Sequence, residues 1–108
     1  MIKFKYTPNS EMLQLILGNV SGVNENYIYG ILEEEAILQL NKLRIFLICE
    51  SNENIDGKRI YSNPIAVAAK NEFEACRTFY NYTEKDGSIM CVLEENASKT
   101  KVEPIIDE

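Results

Sequence analysis

The stretch IYSNPIAVAAKNEFEACRTFYNYTEKDGSIMCVLEE, residues 60–95, decides how this chain folds. It holds two runs of five apolar residues, Ile65-Ala66-Val67-Ala68-Ala69 and Ile89-Met90-Cys91-Val92-Leu93, each bounded by turn or cap chemistry. Runs of that length fit strands buried on both faces. Between them Asn71 precedes Glu74 by three residues, the spacing of a capping box, and opens a helix over about 71–82. Phe73, Cys76 and Tyr80 line one face of that helix, with Ala75 and Phe79 adjoining. Lys85, Asp86 and Gly87 turn the chain into the second run. The stretch is therefore strand, crossover helix, strand.

Working upstream, residues 43–50 are rich in Ile, Leu and Phe, with Arg44 the one polar side chain inside, and read as a strand. Residues 51–58 are polar apart from Ile55, and their Asp56-Gly57 pair suits a hairpin loop. Residues 59–69 return as a strand interrupted at Asn63 and Pro64. Proline cannot donate to a ladder, so this point is either a bulge or a solvent-facing edge. At the start, Ile2, Phe4 and Tyr6 alternate with Lys3 and Lys5, the period-two pattern of a half-buried strand that Pro8 stops. Asn9 or Ser10 then caps a short helix over 12–17, apolar nearly all round and so expected to pack deeply, with a left-handed ending at Gly18 and Asn19. Residues 20–26 read as a loop. Over 27–42 the i, i+4 ridge of Ile28, Leu32, Ala36 and Leu40 predicts a second helix, and a strand over 27–32 followed by a shorter helix is the alternative. Downstream, residues 96–108 form a loose or edge-lying segment containing Pro104.

The order strand, helix, strand, strand, helix, strand predicts a single α+β domain over residues 1–108 with a mixed sheet of about four strands. It resembles the split strand-helix-strand pattern of ferredoxin-like folds. Such a sheet carries its helices on one face, yet alternate residues of 43–49, 65–69 and 89–93 are apolar on both. Something must cover the second face: the short helix over 12–17, the segment 102–106, or another molecule, a homodimer included.

Composition limits the chemistry. The 108 residues include 17 acidic and 11 basic side chains and no histidine, for a net charge of −6. That field opposes direct nucleic-acid binding, and the missing histidine removes the commonest general base and metal ligand together. No apolar run approaches the roughly 20 residues of a membrane span, and the N-terminus lacks a basic segment followed by a long apolar one, so a cytoplasmic location is expected. Cys49, Cys76 and Cys91 are odd in number, without close metal spacing, and each falls in an apolar segment, where a thiol acts as a small hydrophobe. Five isolated glycines form no phosphate-cradling loop. No catalytic, cofactor-binding or metal-ligating residue is assigned, and no cofactor is expected.

The carboxylates and tyrosines remain. Glu33, Glu34 and Glu35, or Glu94 and Glu95 with Glu50, are most simply solvated faces, since consecutive acids on a helix point in different directions. The tyrosines read first as core residues and second as interface anchors. The expectation is a non-enzymatic protein-interaction module that binds another protein or itself through Glu33, Glu34, Glu35, Tyr61, Tyr82, Glu94 and Glu95, with Asp107 and Glu108 at the tail. In size and charge the chain resembles phage-encoded inhibitors of bacterial defence enzymes, which present carboxylates where phosphates would sit; no motif ties it to a family. A small-ligand or regulatory domain acting as a homodimer is the alternative.

Overall fold

The computed structural model describes residues 1–23 and 26–97 and places both apolar runs in one mixed sheet. In chain order the elements are β1 (Ile2–Tyr6), α1 (Ser10–Asn19), β2 (Val20–Ser21) and β3 (Ile28–Leu32), then a 3-10 segment (Glu34–Lys42). After these come β4 (Arg44–Glu53), β5 (Arg59–Ala69), α2 (Glu72–Thr83) and β6 (Ser88–Glu94). The strands lie in the order β1-β3-β5-β4-β6, with β2 beside β5. The sheet thus has six strands among the described residues, where about four were expected.

The crossover from β5 through α2 to β6 is present, with β4 inserted between the two strands and antiparallel to both. The first half of the chain departs from a ferredoxin-like order. Residues 28–32 form a strand, close to the alternative reading, instead of starting a helix, so β1 pairs antiparallel with β3, and β3 runs parallel to β5. Tyr, Ile and Leu suit a pleated surface, and the only small residue there is placed by packing. Gly30 lies opposite Phe4, whose ring covers it so closely that a Cβ would stand 2.3 Å from Phe4 Cε2.

β2 and β3 share one edge of β5. Val20 and Ser21 pair with Tyr61 and Ser62, and Gly30 and Ile31 pair with Ala66 and Val67. Gly22, which follows β2, lies beside Asn63, which at φ 53° and with Pro64 next to it interrupts β5. On the other edge the β4 register shifts between Ile48 and Glu50. The proline interruption is therefore a bulge: two residues of β5 face one of β4, and the missing N–H costs no ladder bond.

Both faces of the sheet are apolar, as the runs imply, and both are covered from within. On one face Phe4, Tyr6, Ile28, Leu32, Ile45, Leu47, Cys49, Ala66 and Ala68 pack with Ile16 and Met12 of α1 and with Ala36, Ile37 and Leu40 of the 3-10 segment. On the other, Ile31, Phe46, Ile48, Val67 and Ala69 lie under Ala75 and Phe79 of α2. This removes the uncovered apolar face for which a dimer was invoked.

Four local expectations are corrected. α1 packs shallowly: of its residues only Ile16 is buried, and Leu15 is 61% exposed. It also ends without a left-handed residue, Val20 being extended. In α2 the buried stripe is Ala75, Thr78 and Phe79, while Phe73 and Tyr80 face outward. Asn71 caps α2 by accepting from Glu74 N at 2.9 Å, but the Glu74 carboxylate pairs with Arg77 instead of completing the box. Of the C-terminal segment, Ala97 is buried and its N–H donates to Leu43 O at 2.8 Å, so the chain is tied down there. Residues 98–108, with Pro104, Asp107 and Glu108, lie outside the described residues.

The sheet curls. Four strand spacings of about 4.8 Å would put β1 and β6 roughly 19 Å apart if it were flat. Yet the Tyr6 hydroxyl on β1 donates to Leu93 O on β6 at 3.2 Å. Register shifts between Ile45 and Phe46 and between Leu47 and Ile48 on the β4–β6 ladder supply extra twist, and the α1-covered face lies on the inside of the curl. Burial, reinforced by Glu94 and Cys91, raises the Tyr6 pKa and keeps that hydroxyl a donor. β6, at the sheet edge, is half-buried along its whole length.

Candidate functional site

β3 and β5 are neighbours and parallel, and the segments that follow them leave for opposite faces. The 3-10 segment packs on the α1 side and α2 on the other. Where adjacent parallel strands send their connections to opposite sides, a crevice opens beyond their carboxyl ends. Here it measures about 290 Å³. Glu33, Glu35, Ala36 and Gln39 form one wall, Lys70, Glu74, Arg77 and Thr78 the other, and Leu43, Ala68 and Ala69 the floor.

The second wall is fixed by α2. The Asn71 cap orients its first turn, and the Arg77–Glu74 ion pair one turn apart holds both side chains along the helix. Lys70, exposed at the end of β5, makes no ion pair among the described residues. Thr78 is only 4% exposed and lines the crevice. A threonine within a helix commonly bonds back to the carbonyl four residues earlier, as Thr83 does to Phe79 O at 2.9 Å. Thr78 makes no such bond among the described residues, and its oxygen is not sealed from solvent.

The structure brings five of the seven expected contact residues to this end of the sheet. β3, β5 and β6 all run toward it, Ala69 lying opposite Arg44 and Glu94 opposite Ile45. Glu33 and Glu35 line the crevice. Glu34 is exposed and pairs with the Met1 ammonium at 3.3 Å. Glu94 closes β6, and Glu95 follows it, exposed. Tyr61 and Tyr82 are elsewhere and apart: Tyr61 is half-buried against the α1-covered core, and Tyr82 lies near the far end of α2 with the Lys3 ammonium 5.7 Å from its ring centroid. Glu50 also lies away from the other acids. It accepts from Asn63 Nδ2 at 2.6 Å and pairs with Lys85 at 2.8 Å, and these bonds hold its carboxyl below the usual range.

Other candidate chemistry is weakly supported. Among the described residues no three His, Cys, Asp or Glu side chains come together to hold a metal. Burial, with Cys91 adding to it, pushes the Cys49 thiol up to about 12, and burial also raises Cys76 and Cys91. All three are thiols at neutral pH, the less nucleophilic form. Tyr27 and Tyr29 do meet edge to face at 5.3 Å, with Lys5 4.7 Å from the Tyr27 ring. This small patch lies by β1 and β3 and contributes nothing to the crevice.

Sequence reasoning missed Lys70, Arg77 and Thr78. The available signal was the junction itself, an apolar strand running directly into Lys70 and a capped helix. It could not be used without knowing that β3 lies alongside. Compared with known proteins, the chain matches no family, no curated protein and no solved structure.

Proposed function

We propose that this chain is a non-enzymatic, acidic interaction module that docks on a basic surface of another protein, in the cytoplasm. The observation that supports this is the gathering of Glu33, Glu34, Glu35, Glu94 and Glu95, from two distant stretches of sequence, at one end of one sheet. Carboxylates presented this way attract a surface built for phosphates, so a nucleic-acid-processing or defence enzyme is the partner class that fits. The same charge opposes direct binding of nucleic acid. Self-association has less support, because α1 and the 3-10 segment cover the second face.

The test is capture from cell extract on the immobilised chain. Electrostatic docking should be released by about 0.3–0.5 M salt, where screening shortens to a few Å. Heparin, a polyanion, should compete, and the fivefold variant E33Q/E34Q/E35Q/E94Q/E95Q should capture nothing. Retention by that variant, or a complex indifferent to salt and heparin, would refute the reading. A second reading, a small-ligand or regulatory domain, is favoured by the crevice.

A further inference from the structure

We infer that the crevice between the 3-10 segment and α2 binds a small zwitterion, a free α-amino acid in chemical class. One wall offers Glu33 and Glu35 and the facing wall offers Lys70 beside the positive end of α2, none of the three with an ion pair among the described residues. An ammonium belongs near the first wall and a carboxylate near the second. A ligand bearing only one of these charges leaves the opposite wall unmatched.

Thr78 sharpens the assignment. The residue is 4% exposed and lines the crevice, and its hydroxyl keeps solvent contact without a protein partner among the described residues, so it is free to exchange water for a ligand. It can donate to the ligand carboxylate that Lys70 attracts. Arg77 is occupied by Glu74 and serves to hold the wall. The floor of Ala68, Ala69 and Leu43 is short and apolar, and at about 290 Å³ the space matches the small end of ligand pockets. It admits an amino-acid backbone with a modest side chain.

This inference goes beyond docking on a basic protein surface, and the two fail separately. The experiment is amide-resolved NMR of the whole chain titrated with each of the twenty free amino acids, with acetate and methylammonium as half-ligands. At least one amino acid should move the amides of residues 33–39 and 70–78 saturably, and neither half-ligand should do so at the same concentration. T78V, which keeps the side-chain shape, and K70Q should each weaken that binding by about tenfold while leaving the thermal melt in place. E94Q/E95Q should weaken partner capture and leave the amino-acid shifts unchanged. The inference is overturned if no amino acid shifts these amides at about 10 mM, if acetate alone reproduces the shifts, or if T78V binds like the parent.

Discussion

α1 and α2 have nearly the same length and are both capped by an asparagine, yet they stand in different relations to the core. α1 carries Met12, Leu13, Leu15, Ile16 and Leu17 and buries only Ile16. α2 is less apolar and buries Ala75, Thr78 and Phe79. The difference is in the floor each helix meets. α2 lies across β3, β5, β4 and β6, whose Ile31, Val67, Phe46 and Ile48 form a broad apolar surface. α1 shares the inner side of the curl with the 3-10 segment, and only part of its circumference finds a partner. Apolar content sets what a helix could bury; the sheet sets what it does.

The largest effect should separate the two anchors. Phe79→Ala empties a fully buried ring site and should cost about 3–5 kcal/mol in a denaturant titration, whereas Ile16→Ala should cost about 2–3. Equal losses would mean that both helices contribute alike, against the burial pattern. Next comes the turn after α2. A Cβ at Gly87 would stand 2.3 Å from Ile48 Cγ2 and 2.7 Å from the Phe79 ring, so Gly87→Ala should cost about 1–3 kcal/mol by overpacking. A neutral result would show that Phe79 has room to move.

The caps give a smaller contrast. Asn71→Ala should lose about 1 kcal/mol and Asn9→Ala about the same or less, since α1 can fray without opening much core. Beyond the end of α2, Lys85 ties the chain to Glu50 on β4. The Glu50 carboxyl is held below its ordinary range by Lys85 and Asn63, so its contribution is present above the unfolded value of roughly 4.3 and lost as pH falls through the folded one. Glu50→Gln should therefore flatten the acid limb of stability against pH and leave α1 substitutions unaffected. The smallest effect belongs to Leu15→Ala, expected within about 0.5 kcal/mol at a largely exposed position.

The second half of the chain was legible because its signals are local. The Asp56-Gly57 hairpin, the Asn63-Pro64 bulge, the Asn71 cap and the two apolar runs each act within a few residues. The first half was not, because residues 27–32 carry helix-spaced and strand-compatible apolar positions at once. What decides between them is Phe4 over Gly30, a contact across 26 residues of sequence. The candidate site was half legible for the same reason. Glu33, Glu34, Glu35, Glu94 and Glu95 are visible as charge runs, but their meeting at one end depends on β3, β5 and β6 sharing a direction. Thr78 looked like one more polar helix residue; its significance comes from lying 4% exposed at the crevice with no bond of its own among the described residues.

The Tyr6 to Leu93 hydrogen bond joins residues 87 positions apart. Because β6 is made long after β1, the inner face of β1 cannot close until most of the chain is present. The curl is therefore the last feature to form and should be the first to open under stress. Amide exchange along β1 and β6 should outpace that in β4 and β5, so the molecule would breathe at its seam while its middle stays shut.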